Sequence, residues 1–508
     1  MSAAAKNVGF SRAHALYQTA DVRVIERFAI DRCRIPGIEL MERAGRRAWQ
    51  CARTRWPRLS KIAVLCGSGN NGGDGFVVAR LAAQAGLQPQ VFALGALEQI
   101  QGDAKIALHR LTEFGVTIRP AQEFHGAEFE LIVDGLFGTG LSRALQGQAA
   151  RLVHLANSAR AARLALDVPS GLHADTGGAL GEVFVSHLTV SFVGQKQGLF
   201  TADGRKYSGH VIFDDLQIPS LAYETVPVRG WRLTLASLLA ARERPLGARD
   251  VRAHKGDFGH VLVVGGEHGF GGAARLCAEA AARCGAGLIS VATRAVHVPA
   301  LIAARAELMA HAVERADQLQ GLVDAASVVA VGPGLGRTPW AQQLLATTLA
   351  SAKPVVVDAD ALNLIAGKHL NLLPAQCVLT PHPGEAARLL NATTEAVEAD
   401  RFAAIAALVG KYQRVVLLKG AGTLIAQPGG AVHIIEGGNP GMASGGMGDV
   451  LTGIIAALLA QGLPPIDAAV YGAALHACAA DEAAHSGGER GLLAGDLLAP
   501  LRRLVDRL

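Results

Sequence analysis

The sequence lacks the features that mark several large classes of protein. Its seven cysteines are odd in number, are scattered along the chain and include no Cys-x-x-Cys pair, so neither a disulfide framework nor a zinc site is expected. A reducing, cytoplasmic environment suits such cysteines. The 48 basic and 43 acidic residues leave a formal net charge of only +5. Because no dense run of Lys and Arg is present, no nucleic-acid partner is expected.

Long apolar runs are also missing. The most apolar segment, residues 450–460, is much shorter than the roughly 20 residues of a membrane-spanning helix, so no membrane partner is expected. The N-terminal segment MSAAAKNVGFSRAHALY lacks the apolar centre of a signal peptide. Aromatic residues make up 5% of the chain whereas glycines number 60, which is typical of an α/β protein with tight turns. A chain of 508 residues exceeds the size of a single core, and two domains are expected.

One glycine-rich stretch, residues 437–459 (GGNPGMASGGMGDVLTGIIAALL), is the first candidate for chemistry. Glycines allow successive backbone N–H groups to converge, and the helix that begins near Asp449 adds unpaired N–H groups and the positive end of its dipole. Together they predict a pocket for an anion such as a phosphoryl group. Asp449 is predicted to accept a proton from a hydroxyl that attacks phosphorus, and its alternative role is that of a helix N-cap.

The first half of the chain opens like a nucleotide-binding α/β fold. Two helices are predicted within residues 11–56, separated at Pro36-Gly37. A short apolar strand at 62–66 then leads into the turn GSGNNGGDG at 67–75 and a helix over 76–85. The glycine spacing differs from the G-x-G-x-x-G of dinucleotide turns, and an ordinary strand-to-helix connection remains an alternative.

Polar residues follow several further strands, which are predicted at 90–94, 130–133, 163–166 and 188–193, the last leading into GQKQG. Because ligands bind beyond the carboxyl ends of parallel strands, we expect the side chains that follow to face one site. Asp134, Asp167, Asn71 and Ser170 would supply hard oxygen donors for a cation, and residues 138–140 would approach a phosphate. Each Asp alone also suits a turn or cap.

Three motifs carry a family resemblance: NNGGDG at 70–75, VDGLFGTGLSR at 133–143 and DVPSG at 167–171. In this order and spacing they resemble the NAD(P)H-hydrate epimerase domain, over roughly the first 220 residues. The sequence DDLQIP at 214–219 departs from the family's usual DIGIP, at the exit of the domain. The resemblance implies a Rossmann-like domain that interconverts the R and S hydrates of NADH and NADPH, with Asp167 as acid or base. It implies that Asn71, Asp134 and Ser170 bind potassium and that the hydrate is contacted by Asn70, Asn71, Gly72, Gly73, Asp74, Gly138, Thr139, Gly140, Leu141, Ser142, Arg143, Ala144 and Asp167.

The second half reads as another α/β domain. Residues 219–230 contain two prolines and no periodicity, which favours a linker. We therefore predict domains at 1–222 and 236–508 joined by 223–235. Strands are expected to alternate with helices throughout the second domain. They are predicted at 261–264, 288–292, 327–331, 353–357, 378–379, 415–418 and 432–435.

Loops in this half have residues suited to phosphate chemistry. His382 stands between two prolines and is equally consistent with a ligand contact and a structural role. Lys419 follows a strand, where it would contact a nucleotide phosphate or lie solvated at a turn. Asp358 and Asp360 would bind magnesium or cap the following helix, and capping is the favoured expectation.

A second resemblance rests on HKGDFGHVLVVGG, GPGLG, TPHPGE, LKGAGT and GGNPGMASGGMGD. These motifs are similar to the NAD(P)H-hydrate dehydratase domain, a ribokinase-like fold, over about 250–508. The whole chain thus resembles the bifunctional NAD(P)H-hydrate repair family. The resemblance implies two three-layer α/β domains, ADP with Mg²⁺ as co-substrate, K⁺ in the first domain, and a homo-oligomer (tetramer or larger). It implies hydrate contacts by Ala273, Gly334, Gly336, His382 and Asp449, and ADP or AMP contacts by Lys419, Gly420, Ala421, Gly422, Thr423 and Gly448.

Three other functions stay open at this point. A ribokinase-like kinase for a small molecule, such as a vitamin precursor, shares the predicted anion pocket. An NAD-dependent dehydrogenase is less favoured, because the first glycine loop lacks the usual spacing and no ribose-binding acid follows at the expected distance. A non-catalytic binding module would reuse the first fold.

Overall fold

The computed structural model describes residues 12–242, 245–368 and 373–508. The chain divides into an N-terminal unit, Ser11–Gly230, and a C-terminal unit, Trp231–Leu508. No helix among the described residues is both long and apolar enough to cross a membrane. All seven cysteines are free thiols.

The N-terminal unit combines nine strands with seven helices. The two helices predicted within residues 11–56 are present and are separated at Pro36, which precedes the second helix. The strands are β1 (Ala15–Tyr17), β2 (Ile62–Cys66), β3 (Gln90–Ala93), β4 (Ile118–Pro120), β5 (Leu131–Gly135), β6 (Ala162–Leu166), β7 (Leu188–Phe192), β8 (Gln195–Lys196) and β9 (His210–Asp214). The helices are α1 (Thr19–Asp31), α2 (Gly37–Arg55), α3 (Asn70–Gln84), α4 (Gly102–Thr112), α5 (Gly147–Ser158), α6 (Gly204–Tyr207) and α7 (Ser220–Tyr223).

Seven of these strands form one parallel sheet in the order β4-β3-β2-β5-β6-β7-β9. The chain order reverses between β2 and β5, so the loops after these two strands leave the sheet side by side. Such a switch point is the usual ligand site of an open α/β sheet. The core beside it contains Phe92, Phe124 and Phe129, whose rings lie 5.1–6.0 Å apart.

The glycine-rich segment after β2 differs from the predicted turn. Helix α3 begins at Asn70 rather than near residue 76, so most of NNGGDG is helical. The reason is close packing: a methyl group added at Gly72 would lie 2.0 Å from the carbonyl oxygen of Gly67. At this position glycine therefore lets the helix start against the preceding loop.

The C-terminal unit begins at Trp231, inside the predicted joining segment 223–235, which includes β10 (Gly230–Leu233). Its other strands are β11 (His260–Val264), β12 (Leu288–Thr293), β13 (Met309–Ala312), β14 (Val328–Val331), β15 (Val355–Val357), β16 (Cys377–Leu379), β17 (Val415–Leu418), β18 (Thr423–Ala426) and β19 (Val432–Ile435). Its helices are α8 (Leu235–Ala241), α9 (Gly271–Arg283), α10 (Val298–Ala304), α11 (Gln320–Ala325), α12 (Pro339–Ala350), α13 (Ala359–Lys368), α14 (Pro383–Leu390), α15 (Thr394–Ala399), α16 (Arg401–Tyr412), α17 (Met447–Ala460), α18 (Pro465–Gly487) and α19 (Leu498–Val505).

The sheet of this unit runs in the order β13-β12-β11-β14-β15-β16-β17-β18-β19. The strands from β13 to β17 are parallel, and the chain order reverses between β11 and β14. Strands β17, β18 and β19 follow one another as antiparallel hairpins. The prediction that strands alternate with helices throughout this domain is therefore wrong at this edge, where short turns replace the helices.

Helix α17, which forms the end of the glycine-rich stretch 437–459, is a core helix. Eleven of its residues, from Met447 to Leu459, are buried, and it packs against α9 and α18. An apolar helix buried on most sides is fixed in position by its neighbours. Its N-terminal residues, including Asp449, are therefore held rigidly at the edge of the sheet.

Candidate active sites

The first site lies at the switch point of the N-terminal sheet. A cavity of about 630 Å³ opens there, between the loops that follow β2 and β5 and the helices α1 and α2. Of the residues predicted to contact the hydrate, it is lined by Asn70, Asn71, Asp74, Gly138, Thr139, Gly140, Leu141 and Asp167. Gly72 is buried within α3, as is Gly73. Ser142, Arg143 and Ala144 are exposed beyond the cavity.

Asp134 of β5 and Ser170, which follows β6, form a buried hydrogen-bonded pair. Ser170 donates its backbone N–H to Asp134 Oδ2 at 2.8 Å and its hydroxyl to Oδ1 at 2.7 Å. Leu136 N–H donates to the same carboxylate at 3.1 Å. Burial raises the pKa of Asp134 to about 6, although these three hydrogen bonds oppose the shift. An ionised carboxylate at this depth favours a nearby positive charge.

The amide of Asn71 supplies a further oxygen near this pair. Asn71 is 9% exposed, and neither its Oδ1 nor its Nδ2 has a hydrogen-bond partner among the described residues. A buried amide without a partner is costly unless something else binds it. Phe137 N–H donates to Ser170 Oγ at 2.9 Å, and the next residue, Gly138, lies against the Asn71 side chain. Asn71, Asp134 and Ser170 thus lie on adjoining segments, and their oxygens are of the kind that binds a hard cation.

Asp167 has different partners from this oxygen cluster. It adopts a left-handed backbone conformation, φ 62°, which turns its side chain towards the end of β7. There Phe192 N–H donates to Asp167 Oδ1 at 3.2 Å, and Lys196 Nζ donates to the same oxygen. The Lys196 side chain is 1% exposed and also donates to the carbonyl of Phe192 at 2.7 Å.

Lys196 was not predicted from the sequence as a site residue. The available signal was GQKQG, a lysine placed directly after a strand whose residues are all buried. Two further carboxyl groups, Glu26 of α1 and Asp74 of α3, line the same cavity. Burial raises the pKa of both groups, and the charge of Asp167 raises them further. These three acids and the buried ammonium thus face one space, which Asp103 and Arg23 also line.

The second site lies at the N-terminus of α17 in the C-terminal unit. Gly446 adopts φ 91° immediately before the helix, and Asp449 occupies its first turn. Asn439 fixes the preceding loop, because its Oδ1 accepts from Gly441 N–H at 3.1 Å and its Nδ2 donates to Asp481 at 2.9 Å. Asp481, which the sequence did not indicate, also accepts from Gly438 N–H at 2.9 Å.

Charged groups from three other elements surround this helix start. Lys419 Nζ lies 2.7 Å from Asp358 Oδ1 and 3.7 Å from Glu385 Oε2. A methyl group added at Gly448 would lie 3.3 Å from the same ammonium. Burial and the charge of Asp358 raise the pKa of Asp449 to about 7, whereas Lys419 lowers it. A carboxyl group with this pKa can accept or donate a proton near neutral pH.

The expected capping roles of Asp358 and Asp360 are not observed. The Asp358 carboxylate, which is 1% exposed, accepts from Lys419 and from Thr452 Oγ1 at 2.8 Å. Asp360 accepts from Gly336 N–H at 2.9 Å. Both carboxylates thus bind groups distant in sequence, because the sheet edge brings these loops together. Across the described ranges, no cluster of three or more His, Cys, Asp and Glu side chains is arranged to hold a metal.

His382 has a structural function that is visible directly. It is the N-cap of α14, and its Nδ1 accepts from Gly384 N–H at 3.0 Å. Glu385 completes the cap by accepting from His382 N–H at 2.8 Å. Burial and Lys419 lower the pKa of His382, so its ring stays neutral at pH 7. The His382 side chain is half exposed, and its Nε2 lies 3.3 Å from Glu385 Oε1.

The loops after β11 and β14 meet at the switch point of the C-terminal sheet. Gly334 adopts φ 57°, and a methyl group added there would lie 3.1 Å from Ala273 Cβ. A buried ion pair supports this contact: Arg294 donates to Glu267 at 2.6 Å, and Thr338 donates to the same carboxylate at 2.6 Å. The structure thus brings Ala273, Gly334 and Gly336 together, although the sequence did not identify Glu267.

The predicted nucleotide residues 419–423 form the turn between β17 and β18. Arg401 stabilises this turn, since its Nη2 donates to the carbonyl of Lys419 at 3.1 Å. Thr423 donates its hydroxyl to the carbonyl of Gly420 at 3.2 Å. Lys419 belongs to the charged cluster at α17, and the rest of the turn leads away from it.

Comparison with known proteins gives matches to both halves of the chain. Residues 261–503 match the model of a family described as NAD(P)H-hydrate dehydratase, and residues 37–198 match that of the YjeF-related protein N-terminus. The chain is 46% identical to the bifunctional NAD(P)H-hydrate repair enzyme of Coxiella burnetii, over 97% of this chain and 99% of that one. It is 42% identical to the enzyme of the same name from Escherichia coli, over 97% and 94% of the two chains.

A solved structure is similar to about half of the chain. A ribokinase-like superfamily protein from Enterococcus faecalis is 30% identical with a TM-score of 0.51, and the match covers 55% of this chain and 97% of that protein. The predicted fold class, α/β with a ribokinase-like domain, is confirmed.

Proposed function

Because the chain belongs to the family of bifunctional NAD(P)H-hydrate repair enzymes, we propose that its two units catalyse successive steps of nicotinamide nucleotide repair. The chain is a bifunctional enzyme, an NAD(P)H-hydrate epimerase and an NAD(P)H-hydrate dehydratase. The N-terminal unit interconverts the R and S hydrates. The C-terminal unit dehydrates the S form at the expense of ADP, giving AMP and phosphate. The proposed domains are 1–222 and 236–508, and the boundary at Gly230 falls inside the joining segment 223–235.

The position of Asp449 at the start of α17 is the main support for the dehydratase proposal. The hydrated nicotinamide ring bears a hydroxyl group, and hydroxide is a poor leaving group. Asp449 would accept the hydroxyl proton as this oxygen attacks the terminal phosphorus of ADP. Backbone N–H groups of residues 446–449, at the start of α17, would stabilise the charge of the transferred group. The lone pair of the ring nitrogen then expels phosphate, and loss of a proton from the carbon next to the C–O carbon restores the ring double bond of the reduced nicotinamide.

The two substrates would approach Asp449 from different loops. The hydrate is proposed to contact Ala273 in the first turn of α9, Gly334 and Gly336 on the loop after β14, and the exposed side of His382 after β16. ADP is proposed to contact Gly448 and residues 419–423, with Lys419 as the cation nearest the start of α17. Magnesium bound to the nucleotide phosphates would neutralise their charge when present.

The N-terminal cavity supports the epimerase proposal. Asp167 faces a space lined by Asn70, Asn71, Asp74 and residues 138–141, where it would exchange a proton with the hydrate. Asn71, Asp134 and Ser170 are proposed to hold potassium. The buried amide of Asn71 without a partner supports this site, because an oxygen ligand to a cation would satisfy it.

The experiment that tests the function uses purified full-length protein and a mixture of hydrate epimers. With ADP we expect the absorbance of reduced nicotinamide to return fully and one phosphate to be released per ring restored, and ATP is compared under the same conditions. A ribokinase-like kinase would leave a phosphorylated product instead. Asp449→Asn should abolish recovery while epimerisation continues, and Asp167→Asn should leave only the S form repaired. Either variant behaving as wild type would reject its assignment.

We also propose that the protein acts as a homo-oligomer in the cytoplasm. The seven free thiols suit a reducing compartment. Light scattering of the purified protein would test the oligomeric state, with a tetramer or larger assembly expected and a monomer contradicting it.

A further inference from the structure

Four acids line the cavity of the N-terminal unit, Glu26, Asp74, Asp103 and Asp167. The guanidinium of Arg23 and the buried ammonium of Lys196 line it as well. Only Asp167 is within ion-pair distance of the ammonium; neither Glu26 nor Asp74 has a cation within 4 Å among the described residues. Lys196 compensates the charge of Asp167, and a buried acid that shares this space with other carboxylates and has no cation in contact is favoured in its protonated form.

The backbone holds the Lys196–Asp167 pair in a fixed geometry. Lys196 lies in β8, which pairs with β1 so that Tyr17 and Lys196 are opposite each other. Its ammonium donates to the carbonyl of Phe192 as well as to Asp167. Val193, a β-branched residue, adopts φ 64° at the end of β7. Strained backbone that persists beside a cavity is typical of functional sites.

We propose that Lys196 is a positioning residue for epimerisation, which holds Asp167 as the carboxylate that takes the substrate's hydroxyl proton, while Asp74 carries the proton that the ring nitrogen receives. This inference rests on the proposed epimerase function and assigns opposite proton states to two acids of one cavity. The direction in which burial and Asp167 shift the pKa of Asp74, well above that of a free aspartic acid, agrees with it.

The proton transfers of the proposed reaction balance, so that both acids return to their starting states. The hydroxyl is on the ring carbon next to the ring nitrogen. Asp167 takes the hydroxyl proton, the C–O bond becomes a carbonyl, the carbon–nitrogen bond breaks, and its electron pair takes the proton of Asp74. Rotation of the carbonyl group presents its other face. The nitrogen then attacks that face and returns its proton to Asp74, and the oxygen regains a proton from Asp167. No net proton, electron or water is consumed.

The test measures interconversion of the two hydrates in the absence of nucleotide, starting from an R-enriched sample separated by chromatography. Lys196→Met is expected to lower kcat at least a hundredfold with KM changed less than threefold. Lys196→Arg keeps the positive charge, so its kcat should be higher than that of Lys196→Met. The matched control is Lys105→Met, an exposed lysine of α4, which should behave as wild type. ADP-dependent dehydration of pure S hydrate, measured on the same samples, should be unaffected by all three changes.

A pH profile separates positioning from a purely structural role. In Lys196→Met the Asp167 carboxylate loses its neighbouring positive charge and keeps its neighbouring carboxyl groups. The acidic limb of the kcat/KM profile should therefore move to higher pH. In Asp74→Asn the proton donor is lost, so kcat should fall at least tenfold and the alkaline limb should disappear. The titratable, charged and polar groups that face this pair are Arg23 and Glu26 of α1, Asp74 of α3, Asp103 of α4, Ser191 and the N–H of Phe192.

Three results would overturn the inference: full kcat in Lys196→Met, an acidic limb that does not move, or full activity in Asp74→Asn. Failure of the proposed function is distinguishable, because wild-type protein would then not accelerate interconversion of the epimers above the spontaneous rate. If Lys196→Met does not fold, the epimerisation rates of Asp74→Asn and Lys196→Arg still test the inference.

Discussion

Lys419 and Asp358 form a buried ion pair at the start of helix α17. The ammonium lies 2.7 Å from Asp358 Oδ1, and the Lys419 and Asp358 side chains are 19% and 1% exposed. Thr452, one turn along α17, donates to the second oxygen of the same carboxylate at 2.8 Å. The pair therefore ties the helix that carries Asp449 to the ends of β15 and β17.

Replacing Lys419 by Met is expected to destabilise the C-terminal unit. Breaking a buried pair on one side leaves an uncompensated charge, which costs about 3–5 kcal/mol. Calorimetry of the full chain should show a lower melting temperature for one transition. Adding Asp358→Asn to Lys419→Met removes the stranded charge and should restore part of the loss. If Lys419→Met melts like wild type, the pair does not stabilise the unit.

The pH dependence of dehydration should follow Asp449, whose pKa is raised to about 7 by burial and by Asp358. A proton acceptor must be ionised, so the rate at saturating ADP should fall as pH drops below about 7 and approach a tenfold loss per pH unit. Glu385, whose pKa is also raised to about 7 by burial, titrates in the same range. Phosphate release between pH 5.5 and 8.5 measures this. A rate independent of pH below 7 would exclude Asp449 as the base.

Asp449→Asn should lower dehydration at least a hundredfold, because it removes the base and keeps the shape of the side chain. The matched control is Asp506→Asn, an exposed acid beyond α19, which is expected to retain activity. Single-turnover release of phosphate distinguishes loss of the chemical step from loss of ADP binding. Near-normal turnover in Asp449→Asn would contradict the assignment.

Potassium should stabilise the N-terminal unit. A ligand that binds only the folded state at ten times its Kd adds about 1.4 kcal/mol of stability. The melting temperature in potassium chloride should therefore exceed that in N-methylglucamine chloride at equal ionic strength. Asn71→Ala should lose this difference, because its amide is the buried group without a partner. Identical melting of wild-type protein in both salts would argue against the site.

Gly72 should not tolerate alanine, although it lies in a helix. The added methyl group would meet the carbonyl oxygen of Gly67 at 2.0 Å, and relieving such a contact typically costs about 1–3 kcal/mol. The same change at Gly410, exposed in α16 with no neighbouring atom near its missing Cβ, should stabilise by about 0.5–1 kcal/mol. Chemical denaturation monitored for each unit compares the two. Equal effects would show that the crowding at Gly72 is relieved by small shifts.

The order of strands and helices was largely predictable because burial and turn chemistry are local. Apolar runs at 62–66, 261–264 and 415–418 coincide with β2, β11 and β17. The glycine-rich stretch before Asp449 identified the helix start at Met447 to within two residues. The antiparallel edge formed by β17, β18 and β19 was not predicted, since a short hairpin turn and a helical connection are difficult to distinguish in LKGAGT.

Residue order alone predicted which residue types stand at the ends of the strands, and from them the proposed phosphate loop at α17 and the proposed oxygen donors Asn71, Asp134 and Ser170. Which of these groups share a space, and how burial shifts their pKa values, follows from the fold. Lys196 reaches Asp167 across 29 positions of sequence, and Lys419 reaches Asp358 across 61. Such pairings depend on strand order and on burial, which converts an ordinary charge into one that must be compensated. The glycine-rich stretch therefore supplies the proposed base, Asp449, and the charged groups that the fold places around it shift its pKa.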